Sequence, residues 1–258
     1  MLFRSPGNSL KPLAVYLDYY GLKEAPFDLA PNPRYLFYSP RYREAFNHLI
    51  YGIRERKGFV QLTGEVGCGK TTICRAILKE LGDHYATALI LNPVLDADQL
   101  LRAVALEYGL NAKGMDRFET LSALNQFLID LLFHGRDAVL IIDEAQDLTP
   151  ELLEQIRLLS NLETEDRKLL QIVLLGQPEL RDRLNNHNLR QLRQRISVRF
   201  HLNPLKRWEL WPYIQHRLQV AGSKGMPAFT MGALWRIYAY TKGIDRKSTR
   251  LNSSHGKL

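Results

Sequence analysis

The arrangement of apolar positions along the chain predicts alternating helices and strands. Ser39 and Pro40 form a typical helix start, and apolar side chains then recur on one helical face as far as Ile53. Gly58 ends this helix, and the short β-rich run 59–63 follows it. The later predicted strands are 88–91, 139–142, 170–175 and 197–202, and the later predicted helices are 70–81, 98–108, 118–133 and 150–159.

This alternation is typical of a parallel sheet with right-handed crossovers, in which ligands bind at the carboxyl ends of the strands. The continuous apolar run 170–175 fits a strand that helices cover on both faces. After Pro204 the pattern becomes purely helical, with candidate helices at 208–220 and 229–241. We therefore predict an α/β fold, a parallel sheet flanked by helices, followed by a small helical lid.

The composition of the 258 residues favours a cytoplasmic protein with one main core. Apolar residues make up 45% of the chain, which is enough to bury a substantial core. No apolar run reaches the roughly 18 residues of a membrane span, and the N-terminus lacks the blocks of a signal peptide. Cys68 and Cys74 are the two cysteines, and we expect both to be reduced thiols with a packing role.

The net charge of +8 comes mostly from the two ends of the chain. Residues 1–14 contribute +2 and residues 245–258 contribute +3, which leaves +3 for residues 15–244. Neither end shows a helical or strand pattern. We expect 1–14 to be an unpatterned leader, either a flexible native segment or a stretch that precedes the native start. We expect 245–258 to be a non-native tail, because D-R-K-S-T-R-L-N-S-S-H resembles a translated sequencing adapter.

Residues 64–71, G-E-V-G-C-G-K-T, match the phosphate-loop pattern between a predicted strand and a predicted helix. The glycines let backbone N–H groups wrap the phosphates, and the helix N-terminus adds partial positive charge. Lys70, which we expect to face a solvated site, supplies a mobile positive charge, and the Thr71 hydroxyl suits Mg²⁺. The predicted nucleotide-binding residues are Gly64, Glu65, Val66, Gly67, Cys68, Gly69, Lys70, Thr71 and Thr72.

Two acidic residues, Asp143 and Glu144, end the apolar strand 139–142. In a parallel sheet this strand end lies at the same edge as the phosphate loop. Asp143 can therefore hold Mg²⁺, directly or through water, and Glu144 can orient and deprotonate the water that attacks the γ-phosphate. Alone, an apolar strand with two terminal acids is weak evidence, but together with an upstream phosphate loop it indicates a hydrolytic site.

Three further residues are candidates for catalysis. Gln177 follows the predicted strand 170–175, where its amide can reach the attacking water or the γ-phosphate; the alternative is a polar residue that starts a helix. Arg195, and after it Arg190, lie in a basic stretch before the last predicted strand. Either arginine can stabilise the transition state at a neighbouring subunit's phosphate, or serve as a solvated helix charge.

With these elements in order, residues 16–244 resemble the AAA+ ATPases of the general secretion pathway protein A type. The motifs that carry the resemblance are Y-G-L at 20–22, P-F at 26–27, P-N-P at 31–33, Tyr38, G-E-V-G-C-G-K-T-T at 64–72, I-I-D-E-A-Q at 141–146, L-L-G-Q-P-E-L at 174–180, L-R-Q-L-R-Q-R-I at 189–196 and G-I at 243–244.

The resemblance implies a P-loop NTPase fold of the AAA+ kind, with a nucleotide-binding core at 15–205 and a partial helical lid at 206–244. It also implies an adenine pocket built partly by the segment before the phosphate loop, and a sensor 1 role for Gln177. Family members continue after glycine-isoleucine with proline and the sensor 2 arginine. Here Asp245 replaces that proline, although Arg246 falls at the sensor 2 position. Because we expect 245–258 to be a non-native tail, we treat this match as accidental and do not count Arg246 as a site residue. We also expect the lid to be incomplete.

The leading hypothesis is Mg²⁺-dependent ATP hydrolysis that drives conformational change in a membrane-associated assembly for secretion, pilus biogenesis or exopolysaccharide export. We expect a homo-oligomer built through the arginine finger, located in the cytoplasm or at the inner membrane through partners or a missing C-terminal segment. The alternative is a DNA-associated ATP switch of the transposition or origin-recognition type, which the nearly balanced charge of 15–244 disfavours. A kinase is disfavoured because the acidic pair suits water activation.

Overall fold

The structure is a computed structural model that describes residues 17–27, 32–91, 93, 95–165, 167–224 and 227–244. The expected leader 1–14, the expected tail 245–258 and Arg246 lie outside these residues. The chain forms two compact units: Pro40–Asn203 is the larger, and Met1–Ser39 with Pro204–Leu258 is the smaller. The segment before Pro40 thus belongs with the C-terminal helices, whereas the sequence analysis placed it in the core.

The larger unit contains one sheet of five parallel strands, as the alternating pattern predicted. The strands are β1 (Phe59–Gly64), β2 (Tyr85–Ile90), β3 (Asp137–Ile142), β4 (Leu170–Gly176) and β5 (Ile196–Leu202). Their order in the sheet is β2-β3-β4-β1-β5. Every residue of β1 and β4 is buried, which explains why the sequence of β4 is continuously apolar.

Seven helices of this unit are described, and local sequence signals account for where several of them begin. Asp96 forms a capping box with Gln99, and Asp116 forms one with Glu119. Thr149 caps the helix that begins at Pro150. The helices are α1 (Pro40–Arg54), α2 (Lys70–Leu81), α3 (Ala97–Glu107), α4 (Arg117–Phe133), α5 (Pro150–Leu159), α6 (Pro178–Leu184) and α7 (Arg190–Arg195). None of the helices in the described part of the chain is long and apolar enough to cross a membrane.

The smaller unit combines the segment before Pro40 with helices α8 (Leu210–Val220) and α9 (Met231–Thr241). Its apolar core includes Leu22 and Tyr35 from the N-terminal segment together with Leu210 and Leu218 of α8. The Lys23 amide donates to the carbonyl oxygen of Ala221 at 2.8 Å. Two parts of the chain that are far apart in sequence therefore complete one core.

Arg217 on α8 is the main polar link inside this unit. Its side chain is buried, and its Nε donates to the Pro26 carbonyl oxygen at 2.6 Å. The guanidinium lies 5.0–5.6 Å from the ring centres of Phe27, Tyr35 and Tyr213. A guanidinium in an aromatic cage gains cation–π energy, and the hydrogen bond satisfies a buried carbonyl group.

Replacing Arg217 with methionine should lower the free energy of unfolding by about 2–3 kcal/mol, because it leaves the Pro26 carbonyl without its buried donor and removes the cation–π contacts. Urea denaturation followed by circular dichroism measures this loss. Arg236→Met on the exposed surface of α9 is the matched control and should change stability by less than about 0.5 kcal/mol. Equal effects of the two substitutions would contradict the assigned role of Arg217.

Candidate active site

The phosphate loop connects the buried strand β1 to helix α2, as the sequence predicted. Gly67 and Gly69 have φ angles of 83° and 91°, which side-chain-bearing residues rarely adopt. Gly64 is required for a different reason, since a Cβ atom there would lie 2.7 Å from the carbonyl oxygen of Leu202 on β5. The glycines thus allow both the loop conformation and its close approach to the sheet.

Lys70, the first residue of α2, points its ammonium group back into the loop. Its Nζ donates to the carbonyl oxygens of Gly64 at 2.8 Å and Glu65 at 3.2 Å, and the residue is only 6% exposed. The expectation that Lys70 faces a solvated site is therefore wrong. The loop itself fixes the position of this charge.

Helix α1 contributes a contact to the phosphate loop that the sequence did not reveal. The hydroxyl of Tyr42 donates to the Cys68 carbonyl oxygen. A Cβ atom on Gly69 would collide with the same hydroxyl group. The helical periodicity of α1 indicates only that Tyr42 lies on its apolar face, because a periodic pattern does not distinguish a core tyrosine from one that contacts a loop.

A hydrogen bond between Thr71 and Asp143 connects the first turn of α2 to the end of β3. The Thr71 hydroxyl donates to the Asp143 carboxylate at 2.8 Å, and Asp143 is buried. Burial raises the pKa of Asp143, while the hydrogen bonds from Thr71 and from the Glu144 amide act in the opposite direction. A hydroxyl and a carboxylate oxygen are hard ligands that suit Mg²⁺, which commonly takes its remaining ligands from nucleotide phosphates and water.

Glu144 has a left-handed backbone, with φ 52° and ψ 37°, which is uncommon for a residue other than glycine. Its amide donates to the neighbouring Asp143 carboxylate at 2.9 Å. The Glu144 carboxylate accepts from the side-chain amides of Gln146 at 2.9 Å and Gln177 at 3.5 Å. The structure therefore brings together the acidic pair and the predicted sensor Gln177, and it adds Gln146 to them.

The two candidate finger arginines lie apart from this cluster. In the described structure, neither arginine forms a hydrogen bond or ion pair with the phosphate loop or the acidic pair. Arg195 Nη1 donates to the Ser160 hydroxyl at 2.7 Å and to the Asn161 side chain, both just after α5. Arg190 at the start of α7 is exposed.

Comparison with known proteins assigns the chain to a class. A sequence model of the AAA domain family matches residues 53–184, a stretch that contains the phosphate loop, the acidic pair and Gln177. The chain belongs to the AAA family of nucleotide-binding ATPases. Within that class it is similar to General secretion pathway protein A of Aeromonas hydrophila, with 46% identity over 233 residues, which confirms the predicted resemblance. The match covers 90% of this chain but only 42% of that protein.

Solved structures confirm the predicted P-loop AAA+ fold. The ORC2 protein of Aeropyrum pernix in its ADPNP–ADP complexes is 15% identical with a TM-score of 0.60, over 83% of this chain and 61% of that one. Cdc6p of Pyrobaculum aerophilum is 16% identical with a TM-score of 0.61, over 84% of this chain and 62% of that one. At these identities the similarity concerns the fold alone.

The thiol of Cys74 on α2 should be unreactive in the folded chain. Burial, and after it the charge of Asp143, raises the pKa of this thiol to about 12, whereas a free cysteine has a value of about 8.5. The thiolate is the reactive form, so at pH 8.5 iodoacetamide should modify Cys74 roughly 1,000-fold more slowly in the native chain than in urea. Mass spectrometry of a Cys68→Ser variant isolates the site, and equal rates in both states would contradict the prediction.

Proposed function

We propose that the chain binds ATP with Mg²⁺ and hydrolyses the bond between its β- and γ-phosphates. The observation that supports this most is the convergence of Thr71, Asp143, Glu144 and Gln177 at one edge of the sheet, next to the phosphate loop. This set combines metal-binding oxygens with a carboxylate base and an amide donor. Such a combination suits water attack on a phosphoryl group.

Each residue has a distinct role in the proposed reaction. The loop amides and Lys70 bind the β- and γ-phosphates, and Thr71 with Asp143 holds Mg²⁺, which when bound neutralises phosphate charge. Glu144 accepts a proton as the water oxygen bonds to the γ-phosphorus and the bond to the bridging β–γ oxygen breaks. Gln177 orients the water or the transferred phosphoryl group.

The similarity to General secretion pathway protein A extends the proposal to the biological role. We infer that hydrolysis drives conformational change in a membrane-associated assembly of the secretion, pilus or exopolysaccharide-export kind. Contact with such partners would place the chain at the inner membrane. The fold alone does not determine which protein the ATPase acts on. The biological role is therefore proposed from the similarity to General secretion pathway protein A and not from the geometry of the site.

Two substitutions should separate nucleotide binding from turnover. Lys70→Met removes the charge that reaches the phosphates and should weaken ATP binding roughly 10- to 100-fold by calorimetry. Glu144→Gln should bind ATP normally and lower kcat by roughly 10²- to 10⁴-fold, because an amide cannot accept the water proton.

Circular dichroism melts provide the control for both variants, since Lys70 also bonds the loop carbonyls. Unchanged ATP affinity in folded Lys70→Met would overturn the assignment of the phosphate site. A wild-type rate in Glu144→Gln would remove that residue from its role as base.

We further propose that Arg195, or failing that Arg190, acts as an arginine finger on a neighbouring subunit. Arg195 Nη1 forms all the hydrogen bonds recorded for this guanidinium in the described structure, so Nε and Nη2 are left to reach a partner's phosphate. The contact to α5 would fix the direction of the side chain. Arg190 lacks such an anchor but is exposed.

If the finger acts between subunits, specific activity should rise with protein concentration. Arg195→Ala should bind ATP normally and lose about 10³-fold or more in kcat. Mixing it with Lys70→Met should restore some activity, because mixed pairs contain one intact finger and one intact phosphate loop. Arg190→Ala tested in parallel identifies the arginine involved. If specific activity does not depend on protein concentration and the mixture of the two variants is inactive, the finger hypothesis is wrong. Arg195 would then only stabilise α5 within its own subunit.

A further inference from the structure

The side chain of Gln146 connects two strand ends of the active site. Its Nε2 donates to Glu144 Oε2 at 2.9 Å, and its Oε1 accepts from the backbone N–H of Gln177, also at 2.9 Å. Gln146 lies two residues after the proposed base, Glu144, just beyond the end of β3, while Gln177 directly follows β4. One buried amide group therefore spans from the proposed base to the backbone of the proposed sensor.

The two partners fix the orientation of this amide. A glutamine side chain has a donor end and an acceptor end, and rotation by 180° would exchange them. The rotated amide would place its oxygen against the Glu144 carboxylate and its NH₂ group against the Gln177 N–H. Both of these contacts are repulsive in a site where Gln146 is only 6% exposed. The bridge therefore has one stable arrangement.

The bridge also determines how the Glu144 carboxylate is presented. Both amide donors, from Gln146 and from Gln177, reach the same oxygen, Oε2. Among the described residues, none donates a hydrogen bond to Oε1. The carboxylate is thus anchored through one oxygen and has the other available to accept a proton from water.

Two local features indicate that the surroundings are shaped around this bridge. Glu144 has a left-handed backbone, which persists only where neighbouring contacts support it. Gly176 at the end of β4 has no positive φ, yet a Cβ atom there would lie 3.1 Å from Gln146 Oε1 and 2.8 Å from Leu180. At this position the glycine provides room for the Gln146 amide.

We infer that Gln146 is a positioning residue for ATP hydrolysis. It holds the Glu144 carboxylate so that it faces the attacking water, and it links the position of that carboxylate to the end of β4. The inference depends on the proposed hydrolytic function. Because Gln146 accepts from the backbone N–H of Gln177 and not from its side chain, the Gln177 side chain can turn toward the γ-phosphate while Gln146 still holds Glu144. Displacement of the β4 end, in contrast, would move the base.

The test replaces Gln146 with methionine, which has a similar shape but cannot hydrogen-bond through an amide. We expect kcat to fall roughly 10- to 100-fold, the value of a lost hydrogen bond to a charged group, while the Kd for ATP stays within about twofold. Gln155→Met on α5 is the matched control and should leave both constants unchanged. Gln146→Glu, which keeps the shape but places a second carboxylate against Glu144, should lower kcat further.

A double-substitution experiment separates positioning from general structural damage. If Gln146 acts through Glu144, adding Gln146→Met to Glu144→Gln should cause no further loss of single-turnover rate. Three results would each overturn the inference. The first is that the losses in rate of the two single substitutions multiply in the double variant. The others are a wild-type kcat in Gln146→Met and a loss of ATP binding that parallels its loss of kcat. A wild-type chain that does not hydrolyse ATP would instead refute the proposed function itself, so the two failures are distinguishable.

Discussion

The active site depends on the position of β4 between β1 and β3. Since all five strands are parallel, their carboxyl ends lie at one edge of the sheet, and this order places Gln177 next to both the phosphate loop and the acidic pair. The hydrogen bond from Thr71 to Asp143 then joins helix α2, which follows β1 and the phosphate loop, to the end of β3. The strand order therefore brings residues that are far apart in sequence together into one site.

Much of the fold could be predicted from the sequence, but the strand order could not. Apolar runs such as 170–175 indicate buried strands, and the helices between them require parallel pairing. Every fully buried strand has a similar apolar pattern, so the pattern does not show which strand is central. The capping residues Asp96 and Asp116 placed helix starts within a residue or two of the prediction. The grouping of the segment before Pro40 with the C-terminal helices arises from tertiary contacts, which leave no periodic signal.

The site was predictable where function depends on local sequence. The glycine loop and the acidic pair follow from conformational and chemical requirements that act within a few residues. Tyr42 and Gln146 were missed as functional residues because each acts on a group outside its own element, which the sequence does not identify. The burial of Lys70 was also missed, since a lysine in a loop pattern gives no indication of the carbonyl groups that surround it.

The discontinuous smaller unit has a consequence for the order in which the chain folds during synthesis. Residues 40–203 form a unit whose contacts are all available once β5 has left the ribosome. The segment before Pro40 is made earlier than these residues, but its core partners on α8 are made only after them. This segment therefore completes its core only after the larger unit has been made, and Leu22 and Tyr35 remain without their partners on α8 throughout synthesis of that unit. A chaperone that binds exposed apolar segments would therefore have a long-lived target in the segment before Pro40.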